Sequence, residues 1–251
     1  MLVWLAVYLV GVLCLPTAAG IFSALGCLAA ALLVGRDTPF CGLPPRRARY
    51  SAGEYAAALG MLISGCALLS FAANLLLRLF GAAGAASGTA GGNFFGALVF
   101  SCLMPAFFEE LLLRGRVLGL LRVARGGGVW LCAALFALMH GDFPRMPYAF
   151  FAGVMLASLV YLTENLYLGM LFHFLNNFAS LLLARLPDAA AYGAAAALAA
   201  LFCASAVFFG TKPLFADAKK LLFSPCAAVP LCGTLLLYAA AMLLLCVLKL
   251  F

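Results

Sequence analysis

The chain contains very little charge and very little histidine. Only 9% of its 251 residues are charged, two are histidine, and 67% are hydrophobic. The mean hydropathy of +1.17 excludes a single soluble domain, because one core could not bury so much apolar surface. We therefore expect an all-α fold, a polytopic transmembrane helical bundle.

Paired cysteines are also missing. The ten cysteines lie scattered singly, and none forms a CxxC pair or another spacing that is typical of metal ligands. The pattern supports neither a disulfide framework nor a structural zinc site. It is typical of small, buried apolar residues.

The basic residues fall between apolar runs. A net charge of +7 could indicate a nucleic-acid partner. However, the arginines and lysines follow the first, third and seventh apolar runs, where membrane insertion retains positive charge on the cytoplasmic side. We therefore predict no nucleic-acid partner. If there are about eight spans, the same rule predicts that both termini lie outside.

The apolar runs predict about eight spans, and several are long enough to cross about 30 Å of hydrocarbon at about 1.5 Å per residue. Pro16 interrupts the first run, and proline removes a backbone donor and clashes with the preceding turn. We favour one kinked span there over two short helices. The runs occupy residues 2–34, 52–80, 94–122, 128–141, 147–163, 165–185, 189–211 and 227–249.

Small residues divide the chain into three parts. Residues 81–92 are almost all glycine and alanine and predict an external loop. The predicted parts are therefore 1–93, the N-terminal spans with this loop, 94–185, a catalytic core, and 186–251, the C-terminal spans. Three glycines within 122–130 are expected to break the helix and form a tight hairpin of the third and fourth spans.

Three charged residues lie inside the third apolar run: Glu109, Glu110 and Arg114. A bare charge there costs several kcal/mol, so such residues indicate function or a specific partner. Glu110 and Arg114 are four apart, which favours an ion pair within the helix. Glu109, about 100° further round, would then face a cavity, where a carboxylate can act as a general base. Alternatively, all three charges hold helices together without chemistry.

Both histidines of the chain, His140 and His173, also lie in apolar stretches. Counted from the predicted hairpin, His140 lies at a height similar to that of the two glutamates, so these groups can meet. His173 and Asn177 are four apart and project from one helix face. Asn176, about 100° away from that face, is expected to hydrogen-bond across helices.

These spacings carry a family resemblance. The chain has E-E-x-x-x-R at Glu109–Arg114, F-x-x-x-H at Phe136–His140 and H-x-x-x-N at His173–Asn177. Together they resemble the signature of the CPBP family, the CAAX-protease and bacteriocin-processing (Abi) intramembrane endopeptidases related to the Ras-converting CAAX prenyl endopeptidase. The resemblance covers roughly residues 94–185 and implies proteolysis by a glutamate-activated water within or at the edge of the membrane.

The resemblance also implies a role for each motif residue. Glu109 would be the general base, and His140 would help to hold the water. His173 and Asn177 would donate hydrogen bonds to the tetrahedral oxyanion, and Phe136 would form part of the cavity wall. Amide hydrolysis requires both a base and such donors, which agrees with these roles.

No cofactor is expected, although a zinc ion is an open alternative. Glu109, His140 and His173 would supply three ligands and leave one position open for water. The chain contains no HExxH motif.

Two other functions stay open at this level. The chain could be a non-enzymatic membrane protein, either a bacteriocin-immunity or partner-binding scaffold, or a small proton-coupled transporter. In each case we expect an integral, multi-pass protein of a bacterial plasma membrane. Its expected partners are membrane lipid and, for a protease, a membrane-associated peptide or protein substrate whose identity the sequence does not give.

Overall fold

A computed structural model describes residues 1–14, 19–33, 40–45, 49–80, 93–225, 238–242 and 244. These residues are mostly helical and include no β-strand, so the predicted all-α fold is confirmed. The helices are α1 (Leu2–Cys14), α2 (Ala19–Leu33), α3 (Ala52–Leu79), α4 (Phe94–Ala124), α5 (Gly126–Met139), α6 (Met146–Thr163), α7 (Leu166–Leu183), α8 (Asp188–Gly210) and α9 (Pro213–Leu222).

Five of the described helices are long and apolar enough to cross a bilayer, which makes this an integral, multi-pass membrane protein. They are α3, α4, α6, α7 and the Gly193–Gly210 part of α8. Helices α2 and α5 are apolar but shorter. The predicted count of about eight spans is not confirmed. Most of the last predicted span, 227–249, and the predicted loop at 81–92 lie outside the described residues.

The first apolar run forms two helices that pack side by side. Trp4 Nε1 on α1 donates a hydrogen bond to Ser23 Oγ on α2 at 3.1 Å. A Cβ added at Gly26 would lie 3.0 Å from the Trp4 carbonyl oxygen. The prediction of one kinked span is therefore wrong. The hairpin buries Trp4 against a glycine, a contact that one continuous helix could not make.

Helix α4 is π-helical on both sides of the two glutamates. The π-helical segments are Leu98–Leu103 and Leu111–Val117, and the α-helical segment between them is Met104–Glu110. Pro105 has no N–H to donate to the preceding turn. The Gly115 carbonyl oxygen accepts a hydrogen bond from the Cys41 N–H, outside α4, at 2.8 Å. Both features disturb the regular α-helical hydrogen bonding, and such π turns often occur at functional sites.

The predicted hairpin of α4 and α5 is present, but its glycines have another role than expected. The turn lies at Arg125, which has a φ of 48°, and the glycines begin α5. A Cβ at Gly126 would lie less than 3.0 Å from the Leu221 carbonyl oxygen of α9. A Cβ at Gly128 would lie equally close to the Leu121 carbonyl oxygen. The glycines therefore permit close packing of α5 and do not form the turn.

Helix α6 lies at the centre of the bundle and packs against α3, α5, α7 and α9. Its contact with α5 is especially close, because a Cβ at Gly153 would lie 2.8 Å from Ala133 Cα. Helix α6 therefore contacts α4, α5 and α7, the helices that carry or precede the motif residues.

Candidate active site

The ring of Phe136 lies at the centre of the polar site. The Arg114 guanidinium of α4 lies over this ring, 4.5 Å from its centroid. The imidazoles of His140 and His173 contact the ring edge-on, with centroid distances of 5.0 and 5.5 Å. One aromatic side chain therefore brings together motif residues from three parts of the sequence.

Glu110 connects α4 to α7. Its Oε1 accepts from Arg114 Nη1 at 2.6 Å and lies 2.9 Å from His173 Nδ1. The Glu110 and Arg114 side chains are 0% exposed, and Arg114 Nη2 also donates to the Gly153 carbonyl oxygen at 3.3 Å. The expected ion pair thus forms. The contact between Glu110 and His173 was not part of the prediction.

Glu109 is the accessible carboxylate of the pair. Its Oε2 lies 4.0 Å from His173 Nε2, and its side chain is 19% exposed. The His173 ring therefore lies between the two adjacent carboxylates. Because an ionised Glu110 can only accept, the proton of the shared hydrogen bond belongs to His173 Nδ1, and Nε2 points toward Glu109.

His140 directly follows α5, and one of its ring nitrogens already contacts the protein. Its Nδ1 lies 3.0 Å from the Phe136 carbonyl oxygen, which can only accept a hydrogen bond. In the neutral ring Nδ1 is therefore the donor, and Nε2 is an acceptor. The ring of Tyr148 on α6 contacts the imidazole edge-on at a centroid distance of 6.1 Å.

Two adjacent asparagines follow His173 on α7. Asn177 is half-buried, and no hydrogen bond holds its side chain within the part of the chain that the structure describes. Asn176 is 6% exposed, yet its Oδ1 has no partner among the same residues. The expectation that Asn176 hydrogen-bonds across helices is therefore not met at that oxygen.

Gly169, one turn before His173, packs directly against the carboxylate of Glu110. A Cβ there would lie 3.2 Å from Glu110 Oε2 and 2.6 Å from Val160 Cγ2. The three sequence motifs do not include this residue. Its only sequence signal is a glycine four positions before a motif histidine.

The sequence leaves a zinc site at Glu109, His140 and His173 as an alternative. Among the described residues, no group of three or more His, Cys, Asp or Glu side chains could hold a metal ion, and this includes the set Glu109, His140 and His173. Each histidine already uses its Nδ1 for a protein contact.

Residues 91–179 match the family of type II CAAX prenyl endopeptidase Rce1-like proteins. This segment is a CAAX-protease family domain. The predicted family is thereby confirmed, and the matched residues include all three motifs. No curated protein and no solved structure matches the chain. The CAAX-protease family implies proteolysis within the membrane, which agrees with the five apolar helices.

Proposed function

We propose that this protein is an intramembrane endopeptidase in which Glu109 activates a water molecule for attack on a peptide bond. One observation carries this proposal. The accessible Glu109 carboxylate lies 4.0 Å from His173, whose other nitrogen is held by the fully buried Glu110. An accessible base beside an oriented imidazole is the arrangement that amide hydrolysis requires.

The first step is attack by water. The Glu109 carboxylate removes one proton, and the water oxygen forms a bond to the carbonyl carbon of the substrate. His140 uses Nδ1 to contact the Phe136 carbonyl oxygen, so Nε2 is available as an acceptor. Nε2 accepts a hydrogen bond from the other O–H and thereby orients the water.

The second step is stabilisation and collapse of the tetrahedral intermediate. Asn177 donates its side-chain N–H to the oxyanion, and His173 donates from Nε2 when its ring carries a second proton. Each such donor typically contributes about 3 kcal/mol. The C–N bond then breaks, and Glu109 returns its proton to the leaving amine.

Glu110 and Arg114 act through His173 and do not touch the substrate. The ion pair fixes the carboxylate of Glu110, which in turn fixes the tautomer and the orientation of the imidazole. Phe136 supports both imidazoles from the side. We propose a membrane-associated peptide or protein as the substrate and no cofactor.

The test is a comparison of membrane peptides from cells that express the unaltered protein, Glu109→Gln or Glu164→Gln. Glu164 is the matched control, because it pairs with Arg122 and belongs to none of the three motifs. We expect specific cleavage products with the unaltered protein and with Glu164→Gln, and none with Glu109→Gln. If a folded Glu109→Gln variant yields the same products, the protein is not a Glu109-dependent protease. A scaffold would tolerate both this change and His173→Ala.

A further inference from the structure

A cavity lies along helix α6. It has a volume of about 580 Å³, and its walls come mainly from α3, α6 and α9. No residue of the three motifs lines it. The Gly153 carbonyl oxygen of α6 accepts a hydrogen bond from Arg114 of the proposed active site. The cavity lies on a different side of α6 from Gly153. This volume is in the range of small-ligand sites.

Two polar side chains interrupt the apolar wall of this cavity. Ser158 is 6% exposed, and its Oγ has no hydrogen-bond partner among the described residues. Lys219 is exposed, and no ion pair within the described part of the chain involves it. A buried hydroxyl with no partner among the residues described, in a wall that also carries a cation, favours a ligand with an acceptor and a negative charge.

The pairing of α5 with α6 gives the position of Ser158 along the helix axis. Gly153 lies opposite Ala133 in this antiparallel pair. Counting five residues along each helix in opposite directions therefore places Ser158 opposite Gly128.

Helix α9 closes the cavity at that end. Its C-terminal carbonyl groups lie against Gly126, the first residue of α5. Gly126 and Gly128 are two residues apart on α5. Ser158, opposite Gly128, therefore lies only about 3 Å further along the helix axis than the carboxyl end of α9, which follows Lys219. The apolar wall continues from there along α6 to Pro147, about 16 Å further at about 1.5 Å per residue.

Helix α9 has the character of a helix at a membrane surface. Leu214 and Leu221 are buried, whereas Lys219 and Lys220 are exposed. Trp130, which lines the cavity, donates its indole N–H to the Leu222 carbonyl oxygen at 3.1 Å. An indole beside exposed lysines is typical of the boundary between hydrocarbon and headgroups.

We propose that this cavity binds one acyl chain of an anionic phospholipid from the surrounding bilayer. The chain occupies the apolar wall along α6, and the headgroup phosphate pairs with Lys219. The Ser158 hydroxyl, just below, donates to an ester carbonyl. The order of cation, hydroxyl donor and apolar wall matches the order of phosphate, ester and hydrocarbon in a phospholipid, and the positive charge favours an anionic headgroup.

Trp130 provides the measurement. The chain has two tryptophans, and Trp4 is enclosed in the α1–α2 hairpin, so Trp4→Phe leaves one reporter in the cavity wall. The Trp4→Phe protein is placed in phosphatidylcholine vesicles that contain a small fraction of brominated phosphatidylglycerol or of equally brominated phosphatidylcholine. We expect the anionic lipid to quench Trp130 with an apparent preference of about fivefold, as expected for one lysine near the membrane surface.

Three variants in this background locate the lipid. Lys219→Gln should remove the preference, whereas Lys220→Gln, at the neighbouring exposed lysine, should retain it. Ala218→Phe, which fills the cavity without changing either lysine, should also remove it. Equal quenching by the two lipids would overturn the proposal, and so would a preference that survives Lys219→Gln or Ala218→Phe. Helical content by circular dichroism verifies that each variant is folded.

Discussion

His173 Nδ1 lies 2.9 Å from Glu110 Oε1, in the buried interface of α4 and α7. This contact gives the second glutamate of the E-E-x-x-x-R motif a role besides its ion pair with Arg114. It fixes the proton on Nδ1 and directs Nε2 toward Glu109. The two adjacent glutamates thus contact opposite nitrogens of the same ring.

The first prediction distinguishes two effects of the Glu110–Arg114 pair, on the orientation of His173 and on the stability of the protein. Arg114→Met alone removes the ion-pair partner of the buried Glu110, leaves its carboxylate only the His173 contact and should destabilise the protein by about 3–5 kcal/mol. The double variant with Glu110→Met should recover most of that stability, because similar-sized apolar residues replace the pair. It should still lack proteolysis, because His173 Nδ1 has lost its acceptor. Thermal unfolding in detergent and cleavage of membrane peptides measure the two effects. Full activity of the double variant would show that Glu110 does not position His173.

The second prediction concerns the contact between α5 and α6. Gly153→Ala places a Cβ 2.8 Å from Ala133 Cα, so the helices must separate, at a cost of about 1–3 kcal/mol. Activity should fall as well, because the Gly153 carbonyl oxygen holds Arg114. Gly193→Ala is the control, since nothing lies within 4 Å of its added Cβ. It should gain about 0.5–1 kcal/mol in helix stability. Equal unfolding temperatures for the two variants would contradict this account.

The third prediction distinguishes the adjacent asparagines. Asn177→Ala should lower kcat by about 10²–10³ with little effect on stability, because a donor to the oxyanion is lost. Asn176→Ala should leave kcat near that of the unaltered protein. Single-turnover cleavage of an identified substrate measures both. If Asn176→Ala causes the larger loss, the oxyanion donor is Asn176.

The fourth prediction concerns metal. Detergent-purified protein treated with a chelator should retain its activity, because the described residues do not provide a cluster of metal ligands. Activity is measured before and after chelation, and again after addition of zinc. Complete loss that zinc alone restores would contradict the metal-free mechanism.

The fifth prediction concerns pH and the contact between Tyr50 and α9. The Tyr50 hydroxyl donates to Asp217 Oδ2 at 2.9 Å. Burial, followed by this hydrogen bond to Asp217, raises the pKa of Tyr50 from 10.0 to about 12. The folded state therefore favours the neutral phenol. The resulting stabilisation is fully present below about pH 10 and is lost as the pH rises toward 12.

We therefore expect the unfolding temperature to fall more steeply between these pH values in the unaltered protein than in Tyr50→Phe. The exposed Tyr167 provides the control, and Tyr167→Phe should keep the steep fall. Parallel curves for the unaltered protein and Tyr50→Phe would rule out this contribution.

The sequence predicts part of the site. Glu109 contacts His173 and His140 contacts Phe136, whereas a contact between Glu109 and His140 stays a prediction. The spacing of four between Glu110 and Arg114 predicts their ion pair, which forms. These results depend on local helical geometry, which a sequence pattern records well.

Contacts that depend on exact helix rotation could not be predicted. The π-helical segments on both sides of Met104–Glu110 change the direction in which the glutamates point, and no apolar periodicity reveals them. The contact of Glu110 with His173 depends on that rotation. The close packing at Gly169 and Gly153 likewise depends on which neighbour approaches, and the sequence does not specify it.

The α1–α2 hairpin also determines the orientation of the amino-terminal segment. Arg116 Nε donates to the Ala31 carbonyl oxygen at 2.9 Å, so the end of α2 lies beside the last third of α4. Because α1 runs antiparallel to α2, Met1 lies toward that same end, on the side of the basic α4–α5 turn. The positive-inside rule therefore predicts a cytoplasmic Met1, opposite to the orientation that eight full spans would give. A reporter attached at Met1 should therefore be active only if it functions in the cytoplasm.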